Sequence, residues 1–155
     1  MSKFVRVAAV GGALAATVFL VQAAIAGASA DDDGHETTLE FDVEPSPFNY
    51  TDLGEPGPSA ADVIVFNDKL LQAGEQVGHE VGSCVVVDPS GLSNCTGVIT
   101  LDDEGTITFA FENAPPPEKT LAITGGTGSY RSAGGEGEFL ESEDGTATLT
   151  LTVHR

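Results

Sequence analysis

Two aspartates and two cysteines carry most of the chemistry that this 155-residue chain offers. Asp42 lies in Thr37–Val43 (TTLEFDV), where Leu39, Phe41 and Val43 share one face and Thr38, Glu40 and Asp42 the other. Asp68 lies in Ala61–Leu71 (ADVIVFNDKLL) on a face with Asp62, Ile64 and Phe66, while Val63, Val65, Asn67 and Lys69 take the opposite face. A carboxyl group set among apolar side chains loses solvation for its charged form, and its pKa rises. Such an acid keeps a proton near neutrality. It can protonate an oxygen of a bound molecule, or as a carboxylate take a proton from one. Asp42 and Asp68 are therefore candidate catalytic residues on condition that they face a cavity. The competing reading is that both are solvated on an outer face, as most of the 24 acidic residues must be. The direction of the two side chains decides between these.

Cys84 and Cys95 are the only cysteines. A reversal centred on Pro89-Ser90 places them directly opposite one another on successive strands, and in an exported chain a disulfide is the default. A zinc site needs more thiols or nearby histidines, and His35, His79 and His154 are scattered. Asp31-Asp32-Asp33-Gly34-His35 lacks the downstream ligands of a calcium loop. Gly126-x-Gly128 has Arg131 where a dinucleotide loop needs its third glycine, and no Lys-Ser/Thr follows for a phosphate loop. No G-x-S-x-G elbow occurs. The reading is no metal and no cofactor.

The elements that must position these residues all read as strands. After Thr37–Val43 comes a proline-rich stretch, Glu44–Ser59, expected to hold no regular structure. Ala61–Leu71, Gln76–Val87, Asn94–Leu101, Thr106–Phe111, Thr120–Thr124, Gly135–Glu141 and Thr146–Val153 follow. Gly78 and Gly82 interrupt the third strand, which suits a bend or a close approach. In the last, Ala147, Leu149, Leu151 and Val153 alternate with four threonines, and Ile107, Phe109 and Phe111 repeat that pattern earlier. Period-two alternation with short turns predicts an antiparallel sheet with one buried face. About eight such strands and almost no helix predict an all-β fold, a closed barrel or a sandwich. The passage Ile123–Phe139 is glycine-rich where the chain reverses, and Tyr130 and Ala133 are spaced to point back under the turn as a plug.

Residues 1–30 read as a signal peptide, with Lys3 and Arg6, an apolar run and Ala28-Ser29-Ala30 as cleavage site. An uncleaved anchor is the alternative, since the run is long enough to span a membrane. Residues 31–36 read as a disordered acidic N-terminus and 37–155 as one domain. Beyond Ala30 all 24 acidic residues face only Lys69, Lys119, Arg131 and Arg155. Such a surface disfavours nucleic acid and anionic membranes and suits a secreted, extracellular protein.

From about Asp62 onward the chain resembles the allene oxide cyclase and dirigent barrel superfamily, especially its secreted actinobacterial members. The matching residues are Phe66-Asn67-Asp68-Lys69-Leu70, Val77-Gly78, Gly82-Ser83-Cys84-Val85-Val86, Gly105-Thr106-Ile107 and Ile123-Thr124-Gly125-Gly126-Thr127-Gly128-Ser129-Tyr130. The resemblance implies an eight-stranded antiparallel closed barrel of calycin type, a homotrimer, and a cavity that folds a reactive apolar substrate into one conformation. It implies a role in cyclisation or stereoselective coupling of a small apolar molecule, of isomerase or cyclase type. A lipocalin-like binder without chemistry and a structural barrel with a filled interior are the alternatives. Asp42 is the nearest equivalent of the cyclases' first-strand glutamate, and Asp68 falls where they hold a water with asparagine. Their cavity cysteine corresponds to Cys84, which a bond to Cys95 would remove as a thiol. Phe41, Phe66, Phe109, Phe111 and Tyr130 are the candidate ligand contacts. These departures from the pattern argue against allene oxide cyclisation itself.

Overall fold

The computed structural model describes residues 35–47, 49–114 and 118–155. The expected signal peptide lies outside the described residues. Nine strands follow in order: β1 (Glu36–Glu44), β2 (Asn49–Thr51), β3 (Val63–Gln72), β4 (Glu75–Val86), β5 (Ser93–Leu101), β6 (Gly105–Asn113), β7 (Glu118–Gly126), β8 (Gly134–Glu141) and β9 (Ala147–His154). A single 3-10 turn, Gly128–Tyr130, sits between β7 and β8.

Strands β3 to β9 form an antiparallel meander, each paired with the next. β1 closes it from both sides. It pairs with β9 from Glu36↔His154 to Val43↔Ala147 and with β3 over Asp42↔Leu71 to Glu44↔Lys69. The result is the expected eight-stranded closed barrel, with β2 as an added strand on the edge of β3. Closure leaves no long unpaired edge to recruit another chain.

β2 lies inside the stretch read as structureless, which corrects that expectation. Its cause is Asp62, a fully buried carboxylate. Asp62 accepts hydrogen bonds from the backbone N–H groups of Leu53 and Ser59, each at 2.7 Å, and from the Tyr50 hydroxyl. These donors draw the loop against β3, where Asn49–Thr51 pairs with Val63–Val65. The same bonds hold the Asp62 carboxyl below its ordinary range, that from Tyr50 first, and push the Tyr50 phenol up to about 12. β1 begins at Glu36, so strand pairing reaches into the expected disordered N-terminus.

The alternating faces resolve as predicted. Leu149, Leu151 and Val153 of β9 are fully buried together with Leu70, Ile99 and Ile107, and these residues fill one half of the barrel. Tyr130 and Ala133 seal that end as a plug, both buried in the same cluster. The Tyr130 hydroxyl donates to the Glu104 carboxylate, and the Arg155 guanidinium lies 5.4 Å from the ring centre. Burial, then the Glu104 bond, raises the Tyr130 phenol to about 12. Gly128 has φ +61°, and a Cβ there would sit 2.3 Å from the Glu104 carbonyl oxygen, so no other residue allows this turn to seat on the β5–β6 reversal.

Candidate active site

The other half of the barrel is open. Its cavity has a volume of about 540 Å³, within the range of small-molecule sites. Two rings of the wall are set by glycine. Phe66, Gly82, Gly97 and Phe109 form one row across β3, β4, β5 and β6, each the register partner of the next. A Cβ on Gly82 would lie 2.3 Å from Cζ of Phe66, and one on Gly97 2.3 Å from Cζ of Phe109. The rings therefore lie flat on bare backbone, and the space above them stays open. The close approach expected from Gly82 is that of the Phe66 ring. Phe111 continues the wall, 6.0 Å from Phe109 between ring centres.

Two carboxyl groups enter this aromatic wall. Asp68 on β3 and Glu80 on β4 are register partners on the inner face, 8 % and 3 % exposed. The backbone N–H of Ser46, in the segment after β1, donates to Asp68 Oδ1 at 2.7 Å, and the Ser46 hydroxyl lies 3.3 Å from the same atom. Burial raises the Asp68 pKa, and the Ser46 bonds oppose the rise. No such donor is found for Glu80 among the described residues. Burial, then the Asp68 charge beside it, pushes Glu80 up to about 8. A pair of this kind titrates as a unit and holds one proton at neutral pH. It can donate that proton to an oxygen or nitrogen of a bound molecule and accept one in return.

The sequence-predicted residues separate into three groups. Asp68, Phe66, Phe109 and Phe111 line the cavity. Phe41 is buried in the core but lies outside the cavity wall, and Tyr130 closes the opposite end. Asp42 is corrected: it is exposed on the outer face of β1, as alternation with the buried Phe41 and Val43 requires, so it cannot pair with Asp68 across a cavity. The partner of Asp68 is Glu80, which the sequence reading missed. Its signal was its place two residues from Gly78 and Gly82 and four from Cys84, on the inward parity of β4. Cys84 and Cys95 are register partners joined by a disulfide, with Cα atoms 4.0 Å apart. Cys84 lines the cavity, and as a disulfide sulfur it offers no thiol there.

The rim holds one further charged pair. Lys119 of β7 faces inward with Leu121 and Ile123, its ammonium 5.7 Å from the Phe139 ring centre and 2.5 Å from Glu141 Oε2.

Residues 37–151 match the family described as the allene oxide cyclase barrel like domain. No curated protein matches the chain. Among solved structures, pyocyanin demethylase is similar at 29 % identity and a TM-score of 0.69, over 76 % of this chain and 99 % of that one. A pterocarpan synthase dirigent protein is similar at 20 % identity and 0.57, over 78 % and 84 %. The Diels Alderase AbmU from Streptomyces koyangensis is similar at 16 % and 0.63, over 81 % and 71 %. With most of its described barrel inside the family match, the closed eight-stranded meander and its one-ended cavity identify this chain as a member of the allene oxide cyclase barrel like family.

Proposed function

We propose that this barrel binds a small, largely apolar molecule in the Asp68–Glu80 cavity and guides its cyclisation or stereoselective coupling, with the acid pair moving a proton on the bound molecule. The observation that carries the reading is the pair itself: two adjacent buried carboxyl groups opening into an aromatic-walled cavity of about 540 Å³. An isolated buried carboxyl group is costly to keep, and perturbed acids of this kind concentrate at functional sites. The volume exceeds the ~300 Å³ that a ligand needs, which supports a binding barrel over one filled by its own side chains. The names of similar proteins support small-molecule chemistry of several kinds on one barrel: a demethylase of pyocyanin, a pterocarpan synthase and a Diels Alderase. The cavity walls supply conformational restriction and exclusion of water, and the acid pair supplies the proton.

The protein acts outside the cell in this reading, after removal of residues 1–30, as a homotrimer. Its disulfide is consistent with an oxidising compartment. Native mass spectrometry of protein recovered from its producing culture identifies the retained small molecule. Asp68→Asn then abolishes turnover of that molecule while its affinity changes less than about threefold, because the amide keeps the shape but carries no titratable proton. An Asp68→Asn protein with full turnover removes the acid pair from the mechanism. A wild-type protein that holds the molecule and never converts it is a carrier.

A further inference from the structure

Lys119 stands apart from every other cation of the described barrel. Lys69 is half exposed, but the Lys119 side chain is only 9 % exposed, on the inner face of β7 among the residues that line the cavity. An ammonium so placed loses most of its hydration, and the interaction offered in return must be strong to hold it there. Its visible ion-pair partner is Glu141, on β8 at the rim, whose side chain is 54 % exposed. The two halves of this bridge are therefore unequal. The lysine is fixed within the wall, over the Phe139 ring, and the glutamate reaches in from solvent. A carboxylate that enters from water to meet a buried ammonium can return to water when another carboxylate takes its place, because the exchange never leaves the buried charge alone.

We propose that Lys119 is the residue that selects the ligand, by binding a carboxylate carried on an apolar, aromatic-sized body, and that Glu141 occupies this position only until the ligand carboxylate displaces it. The inference rests on the cavity of the proposed function being a binding site. Glu141 itself shows that a carboxylate fits against the ammonium, at 2.5 Å. Ile64, Phe66, Phe109, Phe111, Leu121 and Phe139 receive the apolar body, and the Asp68–Glu80 pair meets atoms of the ligand away from its carboxylate. Such a layout fixes which way round the molecule enters. The charge of −18 on the chain opposes an approaching anion, but that field is screened beyond ~8 Å at physiological ionic strength. Within the cavity Lys119 is the one basic side chain of the lining among the described residues, and Glu141 at the rim is the carboxylate already against it. The lysine also serves better than a neutral donor, because a charge-assisted hydrogen bond is roughly twice as strong.

The test uses 2-naphthoate and its neutral isostere 2-naphthamide as probes, titrated calorimetrically at pH 7.5 into the protein recovered from the culture medium. The expected result is that 2-naphthoate binds about tenfold more tightly than the amide, the ratio that one charge-assisted bond confers. Lys119→Met brings that ratio to about one and leaves the amide affinity within about twofold of wild type. Glu141→Gln, which removes the competitor and keeps the lysine, tightens 2-naphthoate several-fold and leaves the amide unchanged; this variant reports even if Lys119→Met does not fold. Equal affinity of the two probes for wild type, or a preference that survives Lys119→Met, overturns the assignment while leaving the binding cavity intact. Failure of both probes to bind overturns this assignment and counts against the binding cavity as well.

Discussion

At Glu80, burial and the Asp68 charge act in one direction, and the consequence is a pH dependence of opposite sign to that of an ordinary paired carboxylate. The folded chain holds this proton up to about pH 8, whereas the unfolded chain releases it near 4.5. Between those values the folded state binds more protons, so stability falls as pH rises, and the loss is complete above about 8. The size is of order 5 kcal/mol. Glu80→Gln removes the penalty. Its melting temperature is expected to match wild type within a few degrees at pH 4.5 and to exceed it by roughly 15–20 °C at pH 9. Parallel thermal melts across that range check this, and a variant less stable than wild type at pH 9 contradicts the buried neutral acid. Asp62 has the reverse sign. Its hydrogen bonds lower its pKa, so its contribution is present above the ordinary carboxylate range and is lost as pH falls through the folded value.

Among the elements, β4 and β5 shape the cavity by what they lack. Gly82 and Gly97 let Phe66 and Phe109 lie down, so a methyl group at either position stands a ring up into the binding space. The two sites differ in what else they meet. At Gly97 the three nearest atoms all belong to the Phe109 ring, whereas at Gly82 the Thr96 carbonyl oxygen is also 2.7 Å away. Gly97→Ala is therefore expected to fold with a loss of ~1 kcal/mol and to weaken 2-naphthamide binding at least about fivefold. Gly82→Ala forces backbone to move and costs more, ~2–3 kcal/mol. Denaturant melts and probe titration on both variants read this directly. The same strands show what could be read in advance. Alternation in Thr146–Val153 and Thr106–Phe111 located β9 and β6 because each buries one face only, and the disulfide followed from a symmetric hairpin. β2 was not legible, because what holds it is an aspartate 12 residues beyond Tyr50 rather than any pattern of its own. Glu80 was hidden by the glycines beside it, which give no apolar beat to mark the inner face. Asp42 shows the converse: its own alternation put it outside, and only the likeness to a cyclase glutamate drew it inward. Lys119 has the parity of Leu121 and Ile123, yet a charge at a strand start reads first as a solvated end.

The whole molecule divides its charge unevenly around the barrel. Glu36, Glu40, Asp42 and Glu44 of β1, with Glu136 and Glu138 of β8, make one outer wall acidic. Across the two central rows of β3 to β6, and at Thr124 of β7, the outer face carries Val65, Asn67, Val81, Ser83, Thr96, Val98, Thr108 and Ala110 and no ionisable group, with Val65 and Val81 exposed. For a chain of charge −18 this is the wall on which copies can meet without bringing carboxylates together. Light scattering is expected to give three times the chain mass for the purified protein, and Val81→Glu to give a monomer with the barrel's circular dichroism unchanged. A wild-type protein that stays monomeric at high concentration contradicts the trimer.

Closure by β1 has a kinetic meaning. Every pairing from β3 to β9 joins neighbours along the chain, but Phe41 must find Leu149, across almost the whole domain. Loop-closure entropy makes that the slow contact, and until it forms both β3 and β9 present open edges. A β1 that is late to dock can be accepted by the β9 of another molecule as readily as by its own. The route to misassembly in this barrel is accordingly an exchange of its first strand between chains, favoured by concentration during refolding and suppressed by dilution.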